Sequence, residues 1–497
     1  MAKKFRNFIN GKWVEPSSGK YFKNINPANK ENLLGIFPDS AASDVHKAVE
    51  SAQSAFEKWS KIPAPKRGEI ILKAGQLLLE RKDKLASVAT NEMGKILIET
   101  RGDVQEGIDT AIYMAGEGRR LFGQTTPSEL NNKFAMSVRD SIGVVGIITP
   151  WNFPVAIPTW KIFPALICGN TIIFKPATDT PESALRLVEI LIEAGVPDGV
   201  VNLIFGSGSE VGKAIVTHHG ISLISFTGSS ETGRFLATEC GKRLKKCALE
   251  MGGKNAQIVM DDADIDLALD GAIWGAFGTT GQRCTATSRL IIHKKIIDEF
   301  THRLISRAKK IRIGNGLDES TEMGPLINEV QLQKVHSYVK IGKNEDRAKL
   351  LIGGEPYTNG ECSKGFFYKP TVFANGNIKM RIAQEEIFGP VVVIIPVKDF
   401  DEAISAMNST RYGLSASIYT KNLNLAFKAI EKIKSGIVYV NSPTIGAESH
   451  LPFGGIKDTG NGHREAGVTA LDIFSEWKTI YIDYSGRLQR AQIDSEK

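Results

Sequence analysis

The sequence predicts an α/β protein: a Rossmann-like doubly wound parallel sheet, followed by a second α/β block. Three observations carry this expectation. Apolar runs at Val144–Ile148, Thr171–Lys175, 200–205, 223–226 and 246–249 alternate with helical patterns at 157–166, 182–194, 210–218 and 231–239. Each run is short and continuous, as in a strand covered on both faces by helices. A second strand–helix alternation begins after Asn255, and 497 residues are enough for two or three domains.

Taken in order, residues 1–40 hold turn formers and short strand-like pieces at 13–15 and 33–37. Ser43-Asp44 then offers a capping residue before a helix running to Trp59. Helical spacing resumes after Pro65 through Leu85 and Val88, and a further helix covers 98–122. Residues 123–132 are polar and read as a turn, and 134–139 as a strand. After the five-strand region come a strand at 289–292, a helix through Arg307, and strands near Phe373 and at 391–395, 417–419 and 436–440. Residues 477–482 alternate β-branched and aromatic side chains, a last strand suited to sharing with another subunit.

Bulk properties exclude several classes. The 42% hydrophobic and 24% charged content is that of an ordinary globular protein. The net charge of +7 is dispersed, and its short basic runs lack the aromatic company of a nucleic-acid surface. No apolar run reaches membrane-spanning length, and no apolar signal core follows the first residues. Five cysteines without a Cys-x-x-Cys pair argue against a disulfide framework and a zinc site. The expectation is a cytoplasmic protein with no metal, nucleic-acid or membrane partner.

Several stretches carry chemistry. Cys284 lies among small residues, Gly278-Thr279-Thr280-Gly281-Gln282-Arg283-Cys284-Thr285-Ala286, directly after an arginine. Nearby positive charge favours the nucleophilic thiolate, although a buried cysteine is as often merely structural. Thr149-Pro150-Trp151-Asn152-Phe153-Pro154 follows a strand, and a proline-stiffened Asn152 amide suits an oxyanion. Lys175-Pro176-Ala177 ends the next strand, where a lysine either reaches ligand oxygens or is simply solvated. Gly206-Ser207-Gly208-Ser209-Glu210-Val211-Gly212 opens a helix as phosphate loops do, with one residue more than the usual dinucleotide fingerprint. Phe226-Thr227-Gly228-Ser229 repeats the arrangement one strand later. Glu250, before Met251-Gly252-Gly253, could act as a general base if held in an apolar pocket, or merely cap a surface turn. Glu386 and Phe388, in Gln384-Glu385-Glu386-Ile387-Phe388-Gly389-Pro390, offer an acceptor for ribose hydroxyls and a flat ring, or a capped loop with a core phenylalanine. A glycine-rich loop, Pro452-Phe453-Gly454-Gly455, comes last.

This set of motifs, in this order and spread from about Gly11 to the C-terminus, resembles the aldehyde dehydrogenase superfamily. The resemblance implies the fold of that family. A dinucleotide-binding domain would comprise 1–121 and 142–252, a catalytic domain 253–473, and a β oligomerisation arm 122–141 with 474–497. A homodimer or homotetramer would follow. It implies NAD(P)-dependent oxidation of an aldehyde to its acid through a cysteine thiohemiacetal and thioester. Cys284, Glu250, Asn152 and Lys161 would be catalytic. Thr149, Pro150, Trp151, Lys175, Thr178, Gly208, Gly212, Phe226, Gly228, Ser229, Met251, Glu386 and Phe388 would meet the coenzyme, NAD or NADP. Many NAD-preferring relatives carry glutamate where this chain has Thr178, so NADP is not repelled there. Arg283, with Gly446 and Ala447, would meet the substrate. Arg283 resembles the residue at this place in members acting on acidic semialdehydes; the alternative is an arginine that only shapes the cysteine loop. Pro443-Thr444-Ile445-Gly446-Ala447-Glu448 is similar to the aminoadipic-semialdehyde branch, and the stretches around Glu250 and Cys284 to ketoglutaric-semialdehyde dehydrogenases. A coenzyme-A-acylating member, or a silent member acting as a binding protein, are the competing readings. The presence of Glu250 stands against the first, and of Cys284 and Asn152 against the second.

Overall fold

The structure, a computed structural model, describes residues 3–493. Residues 1–2 and 494–497, the outer ends of the expected first domain and arm, lie outside the described residues. The first sheet runs Lys246–Glu250, Leu223–Thr227, Val144–Ile148, Thr171–Lys175, Val201–Leu203, then Asn7–Ile9 and Lys12–Val14. The first five strands are parallel, and the N-terminal hairpin closes the edge antiparallel. Val144–Ile148 and Thr171–Lys175 are buried at every position, as their unbroken apolar runs require.

The second sheet runs Lys349–Ile352, Thr371–Ala374, Val391–Val397, Thr287–His293, Asn255–Val259, Ser415–Tyr419, Ile437–Val440. It is parallel except for its first, edge strand. A third, antiparallel sheet joins Ser475–Asp483 to Lys133–Ser141 and Gln124–Pro127.

Two helices set the site. Ala156–Ile167 is buried at all twelve positions, so it is apolar on every side rather than on one stripe. Ile162, Phe163 and Leu166 are fully buried, each contributing about 1.5–3 kcal/mol; Lys161 is the one charged side chain sealed among them. Leu97–Glu117 turns Glu99, Asp103 and Glu106, at helical spacing, toward the same region.

Four local expectations change. The pattern after Pro65 is two helices, Ala64–Glu80 and Lys82–Met93, parted at Arg81, whose backbone leaves the helical region. The helix expected to reach 122 stops at Glu117; a Cβ on Gly118 would lie 2.7 Å from the Ala64 carbonyl oxygen. Residues 123–132 are not only a turn, because Gln124–Pro127 pairs with Lys133–Ser141 as an exposed strand without an apolar face. The helix at 210–218 begins as a π-helical turn, Gly208–Gly212, before Lys213–Thr217 becomes α.

Candidate active site

The helix Ile265–Phe277 ends at Gly278, and the chain then makes a tight turn with Thr279, Thr280 and Gly281 at φ of 52°, 57° and 68°. A left-handed conformation costs a non-glycine residue about 1–2 kcal/mol, so the turn needs outside support. Glu99 Oε1 accepts from the Thr279 amide (2.7 Å), Thr280 Oγ1 donates to the Gly324 carbonyl (2.9 Å), and Gln282 Oε1 accepts from the Ile327 amide (3.0 Å). Gly281 lies against the Gly389 carbonyl, where a Cβ would stand 2.2 Å away. Asn255 Nδ2 donates to the Cys284 carbonyl (2.7 Å). The loop that carries the sulfur is therefore held by hydrogen bonds from several segments.

Asn152 is buried at the end of the Val144–Ile148 strand. Its Nδ2 donates to the Gln282 carbonyl (3.1 Å), which places the amide beside the cysteine loop. Its backbone carbonyl accepts from Lys95 Nζ (2.9 Å). Lys95 is paired with Asp103 (3.0 Å), and Asp103 also accepts from the Ala156 amide (2.7 Å). A buried ion pair thus braces both Asn152 and the start of the helix carrying Lys161.

Glu250 ends its strand fully inside the protein, and among the described residues neither carboxylate oxygen has a side-chain hydrogen-bond partner. Glycines make the room: a Cβ on Gly454 would stand 2.6 Å from Glu250 Oε1. Burial, then the neighbouring Glu465 carboxylate, holds the Glu250 carboxyl well above the usual range. Glu465 itself is paired with Lys161, which also donates to Ser225 Oγ (3.2 Å).

The Cys284 thiol corrects one expectation. Burial first, and then the Glu386 and Glu250 carboxylates, push it up to about 12, so Arg283 does not hold it as a thiolate. The reason is geometric. Arg283 Nη2 bonds Glu99 (3.1 Å) and its Nε bonds Thr279 Oγ1 (2.8 Å). The guanidinium lies against the Phe153 and Trp274 rings, with centroids at 5.4 and 5.0 Å.

Cys284 stands where two cavities meet. One, of about 390 Å³, is mostly apolar and is lined by Phe153, Trp160, Trp274, Gly446, Ala447 and Phe453, with Arg283 and the carboxylates Glu99, Asp103, Glu106, Glu250 and Glu465 as polar points. The other, of about 190 Å³, is lined by Pro150, Trp151, Asn152, Gly228, Ser229, Glu386 and Phe388. Thr227, Ile157 and Met251 border both, and Glu250 borders the first. Trp151 and Phe388 meet edge to face at 5.4 Å. Ser229 caps the helix Ser230–Gly241 through the Thr232 amide (3.2 Å). Glu386 Oε1 accepts from the Gly253 amide (2.9 Å), and a Cβ on Gly252 would stand 2.3 Å from Glu386 Oε2. The backbone there is bare because the carboxylate occupies the space.

Other expected residues do not line either cavity. Thr149 and Lys175 sit together at adjacent strand ends, the Thr149 amide donating to the Lys175 carbonyl (3.3 Å), and Gly212 faces the Lys175 side chain. Lys175 is buried with its Nζ on the Pro176 carbonyl (2.8 Å), and burial lowers it to about 8. Gly208 opens the π-helical turn, Phe226 packs under Gly228, and Thr178 is half-buried on the loop after the Thr171–Lys175 strand. Sequence reasoning missed Lys95, Glu99, Asp103, Glu106 and Glu465. The spacing of the three helix carboxylates was a usable signal; nothing local marked Glu465.

The description of the aldehyde dehydrogenase family matches residues 13–480. The chain belongs to the aldehyde dehydrogenase family. It is 43% identical over 478 residues to an alpha-ketoglutaric semialdehyde dehydrogenase of Bacillus subtilis, covering 96% of this chain and 98% of that one. It is 42% identical to a 2,5-dioxopentanoate dehydrogenase of Saccharolobus solfataricus, covering 95% and 98%. A crystal structure of betaine aldehyde dehydrogenase from Staphylococcus aureus in complex with NAD+ has a TM-score of 0.95 at 36% identity, covering 97% and 95%. This aldehyde dehydrogenase is thus an oxidoreductase acting on the aldehyde group with NAD(P). Among the described residues no helix is long and apolar enough to cross a membrane.

Proposed function

We propose that this aldehyde dehydrogenase oxidises an acidic semialdehyde, a short 2-oxo acid bearing a terminal aldehyde, to the dicarboxylic acid. The observation that carries the chemistry is the placing of Cys284 at the junction of two cavities, beside an Asn152 amide and an unpartnered Glu250 carboxyl. The names of two relatives, both about two-fifths identical to this chain, support the substrate class.

The Cys284 thiol adds to the aldehyde: Sγ bonds the carbonyl carbon, the C=O π bond opens, and the thiol proton passes to the oxygen of the thiohemiacetal. The Asn152 side chain and the Cys284 backbone amide receive the developing oxyanion, a donor pair worth several kcal/mol in a dry site. Trp151, Gly228, Ser229, Glu386 and Phe388 suit the nicotinamide end of the coenzyme, with a bare Gly252 backbone beside the Glu386 carboxylate. When bound there, NAD(P)+ supplies the hydride acceptor. Thr149, Lys175, Gly208, Gly212 and Phe226 are proposed for the adenosine and phosphate end. Burial and the neighbouring Glu465 carboxylate raise the Glu250 carboxyl, so it takes up a proton readily. Once the sulfur is acylated, ionised Glu250 takes a proton from the attacking water, with the Lys161–Glu465 pair behind it.

Arg283 already holds Glu99, yet a guanidinium has five N–H donors and only two bond to partners among the described residues. A substrate carboxylate can take others across the cavity that Arg283 lines. Arg283→Ala should raise KM for an acidic semialdehyde by roughly 10–100-fold, the equivalent of about 1.5–3 kcal/mol for a charged hydrogen bond. Neutral aldehydes should change much less. Equal losses on both would assign Arg283 to loop shaping alone. A panel of semialdehydes and neutral aldehydes with both coenzymes tests the substrate class itself.

Glu106 adds a pH signature. Burial, then the Asp103 carboxylate, pushes its carboxyl up to about 8, and Oε1 has no partner among the described residues. Below that pH it is neutral and tolerates an anionic substrate; above it, a second negative charge faces that substrate. The ratio of KM for an acidic to a neutral aldehyde should therefore rise between about pH 7 and about pH 9, and Glu106→Gln should flatten the rise. A ratio flat with pH in the unaltered enzyme would contradict this.

Thr178 leaves coenzyme choice open. Thr178→Glu should raise KM for NADP relative to NAD, because a carboxylate repels the added phosphate. An unchanged ratio would place the adenine ribose elsewhere.

The strand Ser475–Asp483 is an edge of its sheet, with Trp477, Tyr481 and Ile482 about half exposed or more. Such an edge is a template for pairing, which supports a homo-oligomer, dimer or tetramer, with 122–141 and 474–497 as its arm. The division into 1–121 with 142–252 and 253–473 follows the two large sheets. Five free cysteines suit a cytoplasmic setting.

A further inference from the structure

Cys240 and Cys247 take no part in the chemistry above. Cys240 is in the last turn of the helix Ser230–Gly241, and Cys247 is the second residue of the strand Lys246–Glu250. The turn between them folds back on Cys240, whose carbonyl accepts from the Arg243 and Lys245 amides, both at 3.0 Å. Cys247 thus returns to the end of the helix it left. The two side chains pack in one hydrophobic cluster, and each thiol is the largest influence on the other's titration. They differ in exposure: Cys240 is fully buried, whereas Cys247 is half-buried and reaches the surface.

We propose that Cys240 and Cys247 form a redox-active dithiol, a modification site separate from the catalytic cysteine, that closes to an intrachain disulfide when a peroxide reaches Cys247. The Cys247 thiolate attacks the peroxide oxygen, giving a sulfenic acid and releasing an alcohol or water. The Cys240 sulfur then attacks the Cys247 sulfur, the S–S bond forms, and the sulfenic oxygen leaves as water with the Cys240 proton. The two thiols are oxidised by two electrons and the peroxide is reduced by two.

The surroundings favour this order. The hydrogen bond from Cys240 lowers the Cys247 thiol to about 7, and Cys240 is correspondingly pushed up. The Asn461 amide also donates to Cys247 Sγ (3.6 Å) and to the Cys247 carbonyl (2.8 Å). Cys247 is therefore the attacking sulfur and Cys240 the resolving one. A resolving sulfur in the same cluster, at the helix end to which the turn returns, needs no large rearrangement and protects Cys247 from further oxidation. Asn461 Oδ1 also accepts from the Leu249 amide (2.9 Å), so the same loop grips the strand that ends in Glu250.

The test uses full-length protein carrying Cys284→Ser, so that the catalytic thiol cannot consume the oxidant. It is exposed to hydrogen peroxide, alkylated, and digested without reduction. The expected product is a Cys240–Cys247 linked peptide, two hydrogens lighter than the reduced pair and restored by dithiothreitol, with Cys168 and Cys362 still alkylated. Cys247 recovered as sulfinic or sulfonic acid, still alkylatable, or linked only between two chains would overturn the proposal. Neither sulfur is substituted in this measurement, so the result does not depend on a variant at the pair. With Cys240→Ser added, Cys247 should accumulate as a sulfenic acid trapped by dimedone; no trapping there would also overturn the assignment of Cys247 as the attacking sulfur.

Discussion

Cys284→Ala should cut aldehyde oxidation by at least about a thousandfold, the scale of loss seen when a nucleophile is removed from an enzyme that works covalently. Coenzyme binding, read by quenching of protein fluorescence, should survive. The cavity proposed for the coenzyme is bounded by Trp151, Asn152, Gly228, Ser229, Glu386 and Phe388, and the sulfur is only one point on its wall. The fold should survive too, because the cysteine loop is tied down through Thr279, Thr280, Gln282 and the Cys284 carbonyl rather than through sulfur. Oxidation persisting above about a thousandth of the unaltered rate would remove Cys284 from the centre of the chemistry.

Glu250→Gln should separate the two halves of the reaction. The amide keeps the shape of the side chain between Gly454 and the cavity but cannot take a proton. Steady turnover should fall by roughly 10²–10⁴-fold, the usual contribution of general-base catalysis. A burst of NAD(P)H of about one equivalent per site should precede the slow phase, because acylation outruns release. The neutral amide also removes the carboxylate that opposes the thiolate, so the burst should not be slower than in the unaltered enzyme. A trace with no burst would mean that Glu250 is needed before the hydride leaves.

Much of this was legible in the sequence, and the exceptions have physical causes. Strands buried on both faces, such as Val144–Ile148 and Thr171–Lys175, announce themselves because each residue must be apolar. Gln124–Pro127 was read only as a turn because a fully exposed strand has no apolar face to display. Cys284, Asn152 and Glu250 stand at strand and turn ends whose neighbours are unusual residues. Glu99, Asp103 and Glu106 went unmarked inside an expected helix, because the cysteine loop that meets Glu99 comes from 180 residues along the chain. The same distance explains the misjudged thiol. Arg283 adjoins Cys284 in sequence, but its guanidinium is turned to Glu99, 184 residues away, rather than to the sulfur. Glu465 likewise meets Lys161 across 304 residues, and no local pattern could have joined them.

The covalent step itself can be weighed. Glu250→Gln protein mixed with NAD(P)+ and an acidic semialdehyde, quenched in acid after the burst and digested, should yield the Cys284 peptide heavier by the acyl group of the substrate, in an amount matching the NAD(P)H formed. NAD(P)H released in a burst with no acyl group on Cys284, or with the acyl group on another residue, would contradict oxidation through a Cys284 thioester.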